Sequence, residues 1–359
     1  TVDKTFWLNS QLSQQHQIRV IPVKTVPWLS EQVHGVFFWL NQLYFTAVLL
    51  CYLSLSSKAN RLIGASGPGV DMPIYLTQRI VNISVVQFIH GDVACSGSIG
   101  WCLTQAKQIF YLPSTQHTLL AALQRFYARS SGVEVNQPQA ESYFQNGPFT
   151  PFINGISSSH WPTRSQATTP HCFWAASLLK WKGLERFVDA LRIAHQTEPV
   201  FSTICYIKPK QINLAISMAP IPIPFTKWHH DPDNFDQLRS QCNIFISTST
   251  KEPFGLSILE SLAAGMCVII PQDGSYWDEA LTDKVNCLKY PEGDNATLSR
   301  LILQLHHEPQ LLSAIQSQAY IFSHQYRAEH TYNNIVHAVT AETNHTQPSS
   351  ALDHAKKDV

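Results

Sequence analysis

Short apolar runs alternate with helix-length segments along most of this sequence. Runs with the pattern of buried strands fall at residues 61–63, 83–89, 108–113, 171–176, 201–207, 243–247 and 267–271. The segments between them have helical periodicity, and in one of them Leu184, Phe187, Val188 and Leu191 share a face. This alternation is typical of parallel sheets with helices on both faces. The sequence therefore predicts an α/β fold built from doubly wound sheets.

The length of the chain predicts more than one domain. A single hydrophobic core rarely serves 359 residues. Around Pro151 the sequence becomes rich in turn-forming residues, which is typical of a linker between domains. We expect a Rossmann-like domain at residues 1–167, a second at 168–322, a terminal helix at 323–340 and a disordered polar tail at 341–359.

Charge and cysteine content narrow the class of protein. Basic and acidic side chains number 25 each, and no run of basic residues occurs. Because nucleic-acid binders carry a basic surface, that class is not expected. The eight cysteines form no C-x-x-C motif and predict buried free thiols in a reducing compartment, which favours the cytoplasm. The residues that follow Thr1 lack the pattern of a signal peptide.

One segment is apolar enough to contact a membrane. Residues 32–57 contain no Asp, Glu, Lys or Arg, and residues 36–55 are long enough to span the hydrocarbon layer. Asn41 and Gln42 interrupt this stretch, and no second segment of the kind follows. We expect a helix that is partly buried in a water-soluble domain. A helix lying at a membrane surface, with the protein peripheral at the inner face, and a spanning helix remain the alternatives.

Residues 249–271 give the strongest functional signal, S-T-K-E-P-F-G-L-S-I-L-E-S-L-A-A-G-M-C-V-I-I-P. They predict a strand, a tight loop, a short helix that ends at Gly265, and another strand. Free amides at a helix start, preceded by a glycine, form an anion site. Glu260, one turn into the helix, could accept hydrogen bonds from a ribose, and Glu252 would face a group carried by the far phosphate. The alternative is an ordinary helix with Glu252 near its positive end and Glu260 in solvent.

The segment E-P-F-G-L-x-x-x-E resembles the E-x7-E signature of retaining GT-B glycosyltransferases of group 1, also called family four. The resemblance extends to residues 152–162, to A-S-L-L-K-W-K-G at 176–183, and to 274–287, where Glu279 precedes Asn286 by seven residues. Residues 326–339 resemble the terminal helix that crosses back onto the first domain. The resemblance covers nearly the whole chain up to the tail, and it implies two Rossmann-like domains that face a cleft.

The resemblance also implies roles for residues of the donor site. Glu260 would hold the ribose and Glu252 the transferred sugar, while Lys182 would pair with the diphosphate. The donor site would further include the amides of Phe254, Gly255 and Leu256, together with Ser177 and Lys180. Ser177 stands where the family has an arginine, and Lys180 is the candidate to replace that cation.

On the acceptor side, His90 matches the family's histidine beside the sugar and the acceptor, so His90, Glu252 and Lys182 form the predicted catalytic set. A capped histidine at a strand end is the alternative for His90. The loop G-A-S-G-P-G at 64–69 resembles a dinucleotide fingerprint, but no Asp or Glu lies between residues 73 and 91 to hold a ribose. We therefore assign Gly67 and Gly69 to an acceptor loop. The family's opening strand and paired glycines would precede Thr1.

The implied activity is transfer of a hexose-type sugar from a nucleotide diphosphate to a hydroxyl, with retained anomeric configuration. The acceptor would be a glycan, a lipid-linked sugar or a small molecule, as in polysaccharide biosynthesis. A catalytically inactive GT-B scaffold that binds glycans and an NAD(P)-dependent oxidoreductase are the alternatives.

No cofactor and no metal are expected. The adjacent histidines at 229–230 and 306–307 are predicted at surface loops and helix ends, and not at a metal, because adjacent side chains diverge.

Overall fold

The computed structural model describes residues 21–25, 28, 35–55, 59–131, 137–209 and 214–340. The predicted tail at 341–359 lies outside these residues. The described chain forms two compact units, one within Thr1–Ile109 and Thr118–Phe149, the other within Phe110–His117 and Thr150–Val359. The fold is α/β with two sheets, as the alternation of strands and helices predicts.

The first sheet has four strands in the order β1-β2-β3-β4, and β1 pairs with β2 in parallel. The strands are β1 (Arg61–Gly64), β2 (Ser84–Ile89), β3 (Gln108–Tyr111) and β4 (Phe149–Pro151). The helices of this part are α1 (Gly35–Leu55), α2 (Met72–Ile80), α3 (Gly97–Gln105), α4 (Gln116–Ser131) and α5 (Gln137–Asn146). Val85, Ile89 and Leu103 are fully buried in the core of this unit.

Helix α1 departs from the expectation of a partly buried apolar helix. Its buried side chains are the polar Asn41, Gln42 and Thr46. Apolar side chains are exposed instead, Val36 at 73% and Leu43 at 55%. Apolar residues occur on every side of this helix. The sequence pattern therefore does not predict which face of the helix is buried.

The second sheet has six strands in the order β10-β9-β8-β5-β6-β7, all paired in parallel. The strands are β5 (Cys172–Ser177), β6 (Ser202–Ile207), β7 (Thr226–His230), β8 (Ile244–Ile246), β9 (Cys267–Gln272) and β10 (Leu288–Pro291). The helices are α6 (Leu184–Ala194), α7 (Phe235–Ser240), α8 (Leu256–Ala263), α9 (Tyr276–Ala280), α10 (Asn295–His307) and α11 (Pro309–Ser323). Trp174, Phe187, Ile204, Ile269 and Leu298 belong to one buried core between sheet and helices.

The two edge strands of this sheet, β7 and β10, are missed by the sequence pattern. Strand β7 reads T-K-W-H-H, and β10 reads L-K-Y-P and ends in a proline. Edge strands tolerate polar residues and proline because one side of an edge strand forms no hydrogen bonds with a neighbouring strand. The prediction that His229 and His230 lie in a loop or at a helix end is therefore wrong, since both lie in β7. His306 and His307 do end helix α10.

The terminal helix predicted at 326–339 is broken into three pieces. A 3-10 turn at His324–Tyr326 is followed by α12 (Ala328–Thr331) and α13 (Asn333–Thr340). These pieces pack on the linker: the Tyr332 hydroxyl accepts from the Gly155 amide at 3.0 Å, and Glu329 Oε1 accepts from the Ser158 amide at 2.9 Å. A Cβ on Gly155 would lie 2.2 Å from Thr331 Oγ1, so only glycine permits this close approach.

All eight cysteines are free. Six are buried, in agreement with the sequence analysis, whereas Cys51 and Cys95 are exposed.

Candidate active site

A cavity of about 440 Å³ lies in the second unit, at the carboxyl ends of strands β5 and β6. The last three residues of each strand line it, among them Ser177, and so does Asp231, which follows β7 directly. Lys182 and Glu260 line the same cavity. The carboxyl edge of a parallel sheet is the usual ligand-binding position in such folds. The cavity thus brings together three of the predicted donor-site residues.

Lys182 and Glu252 form an ion pair at this cavity. Lys182 Nζ lies 2.5 Å from Glu252 Oε2, and the two side chains are only 18% and 13% exposed. The ammonium also lies 4.0 Å from the centre of the Trp181 ring. A lysine ammonium carries three protons, so the bond to Glu252 leaves donors for a second acceptor such as a phosphate.

Gly183 fixes the position of Lys182. It adopts φ +72° and ends the 3-10 turn at Lys180–Lys182 before α6 begins. A Cβ there would lie 2.2 Å from the carbonyl oxygen of Thr248, and the Thr248 hydroxyl donates to the Lys182 carbonyl at 2.9 Å. The Lys-Gly pair is therefore held against the end of β8 by a contact that excludes larger residues.

Helix α8 begins at the glycine that the sequence analysis selects. Gly255 has φ +77°, and a Cβ on it would lie 2.9 Å from Glu252 Cγ. The first N–H groups of a helix have no hydrogen-bond acceptor within the helix, and the helix dipole makes this end positive. The loop therefore presents free amides, at Gly255 and Leu256, close to the Lys182–Glu252 pair.

An aromatic cluster holds this loop in place. Phe254 is 4% exposed and packs against Tyr276 and Trp277 at centroid distances of 5.1 and 5.2 Å. Trp277 Nε1 donates to the Gly255 carbonyl at 3.3 Å, and the hydroxyls of Tyr276 and Tyr326 are 2.8 Å apart. The family resemblance implies a loop at residues 274–287 with Glu279 and Asn286, whereas the structure has helix α9 there, packed against the Gly255 turn.

Glu260 has a partner that the sequence analysis misses. Arg239 Nη1 donates to Glu260 Oε2 at 2.6 Å, and the Arg239 side chain is 6% exposed. Arg239 also pairs with Asp236, which accepts from the Thr163 hydroxyl at 2.5 Å. Burial raises the pKa of Glu260, and the Arg239 guanidinium opposes that rise. The spacing of Asp236 and Arg239 by three residues on a short helix is the only sequence signal for this chain of contacts.

Lys180 pairs with a neighbouring carboxylate in this structure. Its ammonium pairs with Glu185 at 2.5 Å, the side chain is 57% exposed, and it is not among the residues that line the cavity. The role of Lys180 at the phosphates stays a prediction.

The predicted acceptor-side residues belong to the first unit. His90 follows β2 directly, its ring stacks on Phe88 at a centroid distance of 6.3 Å, and partial burial lowers its pKa. Gly67 has φ +90° in the loop after β1. The catalytic and acceptor roles of His90, Gly67 and Gly69 stay predictions.

Asp71, which the sequence analysis does not weigh, organises this glycine loop. Its Oδ2 accepts from the Ser66 amide at 2.8 Å and from Gln87 Nε2 at 2.9 Å, and Tyr75 donates to Gln87 Oε1 at 2.8 Å. Burial raises the pKa of Asp71. The Asp71 carboxylate is thus engaged by groups of the protein itself.

Residues 158–322 match the sequence profile of the glycosyl transferases group 1 family. This segment is a group 1 glycosyl transferase domain. It contains β5 to β10 and all the donor-site residues described above. No curated protein sequence matches the chain significantly.

Solved structures with the GT-B fold resemble most of this chain. The Anabaena HepE protein in complex with UDP and glucose is 16% identical, with a TM-score of 0.61 over 86% of this chain and 85% of that one. A glycosyltransferase from Rickettsia africae is 12% identical, with a TM-score of 0.61 over 92% and 87%. Sucrose-phosphate synthase from Thermosynechococcus elongatus is 14% identical, with a TM-score of 0.54 over 76% and 77%. At these identities the likeness shows the GT-B fold.

Proposed function

We propose that this protein transfers a sugar from a nucleotide diphosphate to a hydroxyl acceptor, with retention of the anomeric configuration. The observation that carries the proposal is that Lys182 and Glu260 line one cavity, while the carboxylate partner of Lys182 and the positive end of α8 lie next to it. Lys182 and the amides at Gly255 suit a diphosphate, Glu260 suits a ribose, and Glu252 lies beside the cation where the sugar would be attached. The HepE structures contain UDP and UDP-glucose, which favours uridine nucleotides as the first donors to test.

In the proposed reaction the protein supplies position and charge. Lys182 and the helix amides would stabilise the leaving diphosphate, and the departing phosphate would assist deprotonation of the acceptor hydroxyl on the same face of the sugar. Glu252 would orient the sugar while its pairing with Lys182 keeps the ammonium in place. The acceptor would be a glycan, a lipid-linked sugar or a small molecule, and the proposed location is the cytoplasm.

The proposal is tested by a screen of UDP-, GDP- and ADP-sugars that measures thermal stability and release of the nucleoside diphosphate in parallel. A ligand at 100 times its dissociation constant adds about 2.7 kcal/mol of stability. We expect one nucleotide class to stabilise the protein and its sugar to be consumed. Stabilisation without release would favour the inactive scaffold, and enhanced nicotinamide fluorescence with the protein would favour the oxidoreductase.

We expect activity to survive removal of divalent metal. Fixed donors, namely Lys182 and the first amides of α8, would neutralise the diphosphate. Turnover is measured after EDTA treatment and again after addition of magnesium or manganese. Loss of activity in EDTA with recovery on metal addition would contradict this part of the proposal.

We expect nucleotide binding to weaken in mild acid. Ionised Glu260 accepts hydrogen bonds from ribose hydroxyls, and its pKa in the folded protein is raised above its ordinary value. As pH falls through that raised pKa the carboxylate takes up a proton and loses its acceptor strength. Calorimetry between pH 7.5 and 5 should show the loss for the native protein and a flatter profile for Glu260→Gln; equal slopes would contradict it.

Arg239 is expected to act as a positioning residue for Glu260. Arg239→Met removes the counter-charge, so the pKa of Glu260 should rise further and the acid limb of nucleotide binding should move to higher pH. Arg239→Lys should restore part of the shift. Arg192→Met, which removes an exposed arginine paired with Asp189, is the control. Weaker binding with an unmoved pH profile would indicate a role in stability alone.

A further inference from the structure

Helix α1 turns its polar side chains toward the protein and an apolar stripe toward the outside. Val36, Leu40, Leu43, Ala47 and Cys51 recur at intervals of three and four residues, and all five are exposed. Asn41, Gln42 and Thr46 are buried on the other side. A helix on the surface of a water-soluble domain has the opposite arrangement. The outer stripe therefore requires an apolar environment that the described residues do not supply.

The helix also has the dimensions and composition of a lipid-contacting segment. Its 21 residues extend about 31 Å at 1.5 Å per residue, and it contains no charged side chain. It packs along α2, which contains Arg79. A crossing orientation would carry this charged neighbour and the buried polar residues of α1 into hydrocarbon, which is costly. An orientation parallel to the membrane plane avoids that cost.

Two positively charged residues lie near α1. The Tyr44 hydroxyl donates to the Lys24 carbonyl at 2.9 Å, which places Lys24 beside the middle of the helix. Arg129 lines a cavity of about 320 Å³ together with Trp39 of α1, and it makes no ion pair with any residue between 35 and 340 that the structure describes. In the sequence, no Asp or Glu occurs between Glu31 and Asp71. This rim complements an anionic surface.

We propose that α1 lies in the plane of an anionic lipid membrane. The stripe from Val36 to Cys51 enters the boundary of the acyl chains, Trp39 lies at the interface, and Lys24 and Arg129 contact lipid headgroups. Pairing with a second copy through the same stripe would bring two sets of these cations together, so it is disfavoured. The proposal rests on α1 and its surroundings and is independent of the proposed glycosyl transfer.

The first test is flotation of the full chain with two kinds of vesicle. One contains phosphatidylcholine alone, and the other also contains about 30% phosphatidylglycerol, an anionic lipid that makes the vesicle surface negative. We expect the protein to float with the anionic vesicles and to be released by high salt. Leu40→Gln with Leu43→Gln should lower the partition at least about tenfold, because both side chains lose their apolar burial in lipid. Both residues are exposed, so the fold should persist, as a thermal melt would verify. Ile321→Gln, at another exposed apolar site on α11, is the control.

The second test uses the native thiol of Cys51. In a Cys95→Ser background it is the one exposed thiol left, since the other six cysteines are buried. A nitrobenzoxadiazole label on Cys51 should shift to the blue on addition of anionic vesicles, and the same label on Cys95 in a Cys51→Ser background should not.

Four outcomes would overturn the proposal. The first two are absence of flotation and equal flotation with neutral vesicles. The third is a label on Cys51 whose fluorescence is already blue-shifted without vesicles. If that shift depended on protein concentration, a second copy of the chain would cover the stripe. If it did not, another part of the same chain would cover it. The fourth is resistance to carbonate extraction, which would indicate a spanning helix.

Discussion

Replacing Lys182 with alanine is expected to lower kcat at least about tenfold, a loss of roughly 1.4 kcal/mol from the barrier. The ammonium is the cation that lines the cavity beside the Gly255 turn, and it is largely withdrawn from water, where its charge acts strongly. Its removal also leaves the Glu252 carboxylate unpaired next to the leaving phosphate. Turnover at saturating donor measures the effect.

Two further variants separate catalysis from the ion pair. Lys180→Ala removes a neighbouring cation that pairs with Glu185 and is 57% exposed, so it should leave kcat within about twofold if Lys182 alone serves the diphosphate. Lys182→Met combined with Glu252→Gln removes both charges of this largely shielded pair. If this double variant regained native turnover, Lys182 would serve only to neutralise Glu252, and the account of the leaving group would be wrong.

Glu260→Ala is expected to weaken binding of the bare nucleoside diphosphate by about 1–3 kcal/mol, the range for a lost hydrogen bond to a charged acceptor. This corresponds to roughly a 5- to 150-fold increase in Kd. Glu252→Ala should leave that Kd nearly unchanged and should lower the rate of transfer instead, because Glu252 is assigned to the sugar. Calorimetry with the diphosphate and rates with the full donor measure the two effects.

Glu308→Ala, at an exposed position before helix α11, is the control for removal of one carboxylate. If the Glu260→Ala protein kept native affinity for the nucleotide, the assignment of Glu260 to the ribose would be wrong. A Glu252 variant that loses the bare nucleotide would show that the two carboxylates have been assigned in the wrong order.

The second sheet and the loop at its active edge follow from local sequence. Strand β8, the Gly255 turn, helix α8 and strand β9 occupy one continuous segment, so apolar runs, a glycine and a helix start determine their positions without distant contacts. Gly183 and Lys182 are similarly local. The resemblance to a family adds the roles of these residues, which spacing alone leaves open.

The parts that escape prediction depend on contacts between distant residues. Arg239 reaches Glu260 across 21 positions, and Trp277 reaches Gly255 across 22, so neither contact has a periodic trace in the sequence. The burial of the polar face of α1 is not predicted for another reason. Its hydrophobicity is nearly uniform around the axis, so packing against α2, and not the sequence pattern, selects the face that is buried.

We propose above that sugar transfer with retention takes place at this cavity. The most direct measurement is proton NMR of the anomeric signal while an α-linked nucleotide sugar, chosen from the stability screen, is consumed in the presence of candidate acceptors. We expect an α-linked product, release of the nucleoside diphosphate in equal amount, and loss of both in the Lys182→Ala protein. A β-linked product, or a donor that binds through Glu260 and is never consumed with any acceptor tested, would contradict it.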